Sequence, residues 1–102
     1  MIVRWTRNAA VDLAGIAGFI AEDNPQAAVA LVQKIKDSTR KMAKFPRSGR
    51  IVPEFEDEKI REIIVGNYRV VYRPALKSIE ILSLFEGHRL PPISPREIGS
   101  SE

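Results

Sequence analysis

Arginine is the residue with the most chemistry to offer in this chain of 102 amino acids. Arg69 and Arg73 stand in the β-prone run Tyr68 to Arg73, with the apolar Val71 midway between them. A planar guanidinium grips phosphate or carboxylate through parallel N–H donors. Other chemistries are closed off. The chain has no cysteine, so a disulfide framework, a thiolate metal site and a sulfur nucleophile are all excluded. His88 is the single histidine, which excludes a multi-histidine metal site and leaves one side chain able to move a proton near neutral pH. No cofactor is expected.

The net charge of +3 decides little, but its distribution is uneven. From Lys34 to Arg50 the chain carries Lys34, Lys36, Arg40, Lys41, Lys44, Arg47 and Arg50 against Asp37 alone. An acidic patch, Glu54, Glu56, Asp57 and Glu58, follows directly. A basic stripe containing Arg47 and Arg50 attracts nucleic acid or an acidic protein surface, or is simply the solvated face of a helix. The arrangement is open to each of these.

The length allows one domain, since two halves could not each bury enough surface to hold together. An apolar share of 44% fits a folded chain. Arg4, Arg7 and Asp12 interrupt any N-terminal apolar run, and no segment approaches the roughly 18 apolar residues that cross a bilayer. A soluble cytoplasmic protein without a membrane partner is the expectation. Residues 1–92 form the expected domain, and 93–102, rich in Pro, Gly and Ser, an expected flexible tail.

The elements that must position the arginines can be read in order. Ile2-Val3-Arg4-Trp5 is short and β-prone, and Thr6 is a good helix N-cap. Leu13, Ile16, Ala17 and Ile20 repeat on one helical face up to Glu22-Asp23. Gly15 and Gly18 cost that helix up to about 1 kcal/mol each, which suggests close approach of a neighbouring element. Asn24-Pro25 caps and starts a second helix to about Ala43, with Ala28, Leu31, Val32, Ile35, Thr39 and Met42 on one face. So short a link predicts an antiparallel helical hairpin. The segment from Phe45 to about Lys59 reads as loop.

Three strands follow: Ile60 to Val65, Tyr68 to Arg73, and Ile79 to Phe85. Gly66-Asn67 is a two-residue hairpin turn signal. That turn pairs Val65 with Tyr68, Ile63 with Val70 and Arg61 with Tyr72 on one face, which should lie under the helices. Glu62, Ile64, Arg69, Val71 and Arg73 then point to the face the helices leave free. The expected fold is α+β, in the order β-α-α-β-β-β, with the hairpin on one face of a small, mainly antiparallel sheet. Arg73 could pair with Glu62 or Glu80 for about 0–1 kcal/mol. Arg69, on a central strand, has little room to reach solvent, so its guanidinium suits recognition of an anion.

Taken together, Trp5-Thr6, Asp12-Leu13-x-x-Ile16, Asp23-Asn24-Pro25, Phe45-Pro46-x-x-Gly49-Arg50, Arg61-Glu62, Gly66-Asn67-Tyr68-Arg69-Val70-Val71-Tyr72-Arg73 and Gly87-His88-Arg89 resemble the RelE/ParE superfamily of type II toxins. The likeness spans about residues 1 to 92 and lies in the order and spacing of the pieces. It implies a toxin neutralised by a cognate antitoxin, which reaches operator DNA only through that antitoxin. It also implies one of two targets. RelE-like members enter the ribosome and cleave mRNA, whereas ParE-like members inhibit DNA gyrase by binding.

Metal-free RNA cleavage needs a base, an acid and cations around the scissile phosphate. In the RelE pattern the relevant arginines correspond to Arg69 and Arg89, with His88 as the remaining proton carrier. The preceding strand, however, offers Glu62 where that pattern wants basic residues, and no Tyr or His follows Arg89. The resemblance therefore favours a gyrase-directed, non-hydrolytic toxin, with Arg61, Arg69, Arg73, Arg89, Arg47 and Arg50 as the residues that contact the target. A ribosome-dependent endoribonuclease is the alternative, and a weakly toxic DNA-binding co-repressor a third.

Overall fold

The computed structural model describes residues 1–87. His88, Arg89 and the tail 93–102 lie outside the described residues. Strand β1 (Ile2–Trp5) leads into helix α1 (Arg7–Asp23), and helix α2 (Pro25–Lys44) returns beside it. Four strands follow: β2 (Arg50–Ile51), β3 (Arg61–Val65), β4 (Tyr68–Pro74) and β5 (Ser78–Glu86). They form one sheet in the order β1-β5-β4-β3-β2, parallel only between β1 and β5.

Capping explains where the helices start. The Thr6 hydroxyl accepts the Ala9 N–H, and the Asn24 side chain accepts the Ala27 N–H ahead of Pro25. Asp12 then fixes α1 to the sheet. One of its carboxylate oxygens accepts from the Ser83 hydroxyl and the Leu84 N–H, each at 3.0 Å. These bonds satisfy backbone of β5 past Ile81, where its pairing with β1 ends.

Beneath the hairpin lies the main core, built from Leu13, Ile35, Met42, Val65, Val70, Tyr72, Ile79, Ile81 and Leu84. The β3–β4 register matches the turn chemistry: Val65 opposes Tyr68, Ile63 opposes Val70, and Arg61 opposes Tyr72. Gly66 takes φ +60°, the left-handed conformation that this two-residue turn requires.

Three expectations need correction. Gly15 and Gly18 do not serve close packing, because a Cβ at either position would meet nothing within 4 Å. The segment after α2 is not all loop, since Arg50 and Ile51 pair with Glu62 and Arg61 as an edge strand. Most important, the face opposite the helices is not bare. Val52, Phe55 and Ile60 fold over it and build a second small core with Val71, Leu82 and Phe85. Apolar residues in the 52–60 segment gain more by covering that face than by exposure to water.

Candidate functional site

The buried face under the 52–60 segment holds a charge cluster. Arg69 is 4% exposed and Glu62 1%. The Arg69 Nε donates to Glu62 Oε1 at 2.6 Å, while Nη1 and Nη2 donate to the two oxygens of Glu54 at 2.8 and 2.7 Å. Arg50 Nε donates to the other Glu62 oxygen at 2.5 Å. The guanidinium also lies over the Phe85 ring, 4.9 Å from its centroid. Hydrogen bonding from Arg69, ahead of every other influence, holds the Glu54 carboxyl down at about 2. Glu54 in turn raises the affinity of Arg69 for its proton, so this pair stays charged.

The expected position of Arg69, away from the helices, is what the structure has, but the expected openness is not. Its three nitrogens already serve two carboxylates of the same chain. The acidic patch was legible in the sequence, whereas its reach across to Arg69 was not, because that depends on how a loop folds back.

The other arginines have separate duties. Arg73 donates to Glu80 at 3.2 and 3.0 Å, and Arg4 meets the same carboxylate at 2.8 Å. Arg61, on the helix-facing side, donates through Nη1 to the carbonyls of Arg47 and Gly49 at 3.2 and 2.9 Å. Tyr72 lies fully buried beside it, and burial raises the pKa of its phenol. That hydroxyl donates to the Pro46 carbonyl at 2.7 Å and accepts the Gly49 N–H at 3.0 Å. Gly49 has no room for a side chain, since a Cβ would fall 2.3 Å from the Tyr72 oxygen. Arg61, Tyr72 and Gly49 thus fix the turn that presents Phe45 and Arg47 to solvent. The structure therefore splits the described candidates into three groups: Arg50 and Arg69 around Glu62, Arg73 on Glu80, and Arg47 and Arg61 at the turn.

A cleft of about 360 Å³ runs between β1 and the helices, lined by Trp5, Leu13, Ala17, Val32 and Lys36. A second, of about 480 Å³, continues along the hairpin past Ala21, Pro25 and Val29. These are open and lined mainly by apolar side chains. None of the described candidate arginines lines them.

A helical hairpin on one face of a mixed sheet, with β1 parallel to the last strand, defines a small α+β domain of the RelE/ParE toxin type. The comparisons agree. The family described as "ParE toxin of type II toxin-antitoxin system, parDE" matches residues 3–91. "Putative toxin Y4kP" of Sinorhizobium fredii (strain NBRC 101917 / NGR234) is 30% identical over 89 residues, which cover 85% of this chain and 88% of that protein. A solved structure described as "Chromosomal ParDE TA system from P. aeruginosa" superposes with a TM-score of 0.71 at 26% identity, covering 84% of this chain and 95% of that one. The chain belongs to the ParE family of toxins of type II toxin–antitoxin systems.

Proposed function

We propose that this toxin inhibits DNA gyrase in the cytoplasm by binding it, without hydrolysis of its own, and that a cognate antitoxin neutralises it. The observation that carries this reading is the engagement of Arg69. A cation that is to stabilise a scissile phosphate must present free donors to it. Here Arg69 faces two carboxylates, and Glu54 spans its outer edge in a bidentate pair. Glu54 and Glu62 would repel an incoming phosphate from the very position where the cleaving branch of the superfamily uses a cation. Membership of the ParE family supports the same branch.

The antitoxin's place, on this reading, is the apolar cleft past Trp5, Leu13 and Val32. An amphipathic helix can lay its apolar face in such a groove. A helix long enough to continue into the adjoining cleft would also cover Val29, which stands 71% exposed on the hairpin.

A supercoiling assay with purified gyrase, run beside a translation-coupled RNA-cleavage assay, tests the function. The expected result is inhibited supercoiling with accumulation of cleaved DNA, intact mRNA, and reversal by the product of the adjacent antitoxin gene. Codon-specific cleavage of translated mRNA with gyrase untouched would replace this reading with the ribosomal one.

A further inference from the structure

We infer that the end of the molecule where α2, the β4–β5 turn and the N-terminus converge is the surface that grips the toxin's protein target, and that it takes an acidic segment bearing a bulky apolar side chain. The inference rests on the reading of this chain as a toxin that acts by binding, and adds to it where the target sits.

Three elements far apart in sequence bring apolar side chains together here. Met1, Phe45 and Leu76 are 56%, 68% and 91% exposed, and they surround a concavity of about 840 Å³ floored by Pro46 and Pro74. Exposed apolar residues gathered on one concave patch mark an interaction surface, whereas scattered ones do not. The rim is cationic. Lys44 and Arg47 line it, Lys77 follows Leu76, and no carboxylate is among the lining residues. On the sheet, Arg4, Arg50, Arg69 and Arg73 are paired with Glu80, Glu62 or Glu54. Lys44 and Arg47 have no carboxylate partner among the described residues. The surface therefore offers unspent positive charge around an apolar hollow, which is complementary to carboxylates flanking an apolar anchor.

Rigidity strengthens the case. The bonds from Tyr72 and Arg61 to Pro46, Arg47 and Gly49 hold the turn in place before any partner arrives, so little ordering entropy is lost on docking. The hollow is lined chiefly by aliphatic and proline side chains, which suit a protein side chain better than a stacked base. Gly87 is bonded to Asn67 at the other end of β4 and β5, and the nine-residue β5 spans about 30 Å.

The test uses the full chain with Leu76→Asp, Phe45→Ala and the double change Lys44→Glu with Arg47→Glu. Leu76 is at an exposed turn, so its replacement removes no core packing. Two readouts are taken, inhibition of purified gyrase and growth arrest on induction, with co-purification of the antitoxin as the check on folding. Each apolar variant is expected to raise the inhibitory concentration about tenfold or more, and the charge reversal more still, with antitoxin binding retained. If the wild type arrests growth without touching gyrase, the gyrase reading fails, and the surface stands or falls on whether the same variants lose the arrest. Variants that behave like the wild type in both readouts overturn the surface. Loss on charge reversal alone, with Leu76→Asp and Phe45→Ala silent, points to a phosphate backbone and overturns the acidic protein segment. A wild type that arrests nothing overturns both readings.

Discussion

Arg69 and Glu54 meet edge to edge on the side of the sheet away from the helices, with Nη1 to Oε2 at 2.8 Å and Nη2 to Oε1 at 2.7 Å. Behind this pair, Glu62 accepts from Arg69 on one oxygen and from Arg50 on the other. The geometry makes Arg69 the hub that closes the 52–60 segment over the sheet. It also determines how a substitution there must be interpreted.

Arg69→Ala removes one of the two arginine donors to Glu62 among the described residues, and the buried one, while the side chain of Glu62 is fully enclosed. Breaking a buried ion pair by removing one partner costs about 3–5 kcal/mol, toward the lower end here because Arg50 still meets the other Glu62 oxygen. Arg69→Ala should therefore unfold or nearly unfold the domain, and a lost phenotype would reflect stability. Urea denaturation followed by circular dichroism gives the answer. The double change Arg69→Met with Glu62→Leu should recover much of the loss, and a double variant no better than the single one would contradict the hub.

The Glu54 pair also sets a pH dependence. The carboxyl sits at about 2 in the folded chain, below its ordinary value of 4.5. A depressed carboxylate contributes stability that is fully present above the unfolded value and is lost as pH falls through the folded one. The contribution should thus be intact above about pH 4.5 and fade between there and pH 2. Full linkage for that difference, discounted for solvent screening of the partly exposed carboxylate, leaves about 1–2 kcal/mol. Melting temperature measured across this window should fall less steeply for Glu54→Gln than for wild type.

The turn after α2 depends on one hydroxyl. Tyr72→Phe leaves the Gly49 N–H and the Pro46 carbonyl without that partner, for a loss of about 1–3 kcal/mol. Gly49→Ala forces a Cβ to 2.3 Å from the Tyr72 oxygen and 2.8 Å from the Glu62 carbonyl oxygen. Overpacking of this kind costs about 1–3 kcal/mol. Amide hydrogen exchange should quicken around residues 46–49 in both variants while β4 and β5 stay protected. Unchanged exchange there would refute the clamp.

Gly15 and Gly18 predict the opposite sign. Both are exposed within α1, and a Cβ at either meets open space. Replacing each with alanine should stabilise the free chain by about 0.5–1 kcal/mol, the helix-propensity difference. Thermal denaturation of the single and double variants checks this, and a destabilised double variant would reveal a contact that the free chain does not show.

Local chemistry explains what could be read in advance. Thr6 and Asn24-Pro25 marked both helix starts because a cap needs only a side chain and the next three residues. Gly66-Asn67 set the β3–β4 register because a two-residue turn leaves no freedom in the pairing. From that register followed the side of the sheet on which Arg61 and Arg69 each lie.

The tertiary structure decided the rest. Strict alternation along β5 would place Ser83 and Phe85 with Ile79 and Ile81 under the helices. An irregularity between Val71 and Tyr72 skips Leu82 in the pairing, so Leu84 joins the helix-side core and Phe85 crosses to stack on Arg69. Alternation carries no record of such an extra residue. Nor could charge order along the chain reveal that Glu54 would satisfy Arg69, or that Met1, Phe45 and Leu76 would share one hollow. Caps and turns are contracts between neighbours in sequence, whereas these contacts exist only once distant segments have been brought together by burial of the sheet's two faces.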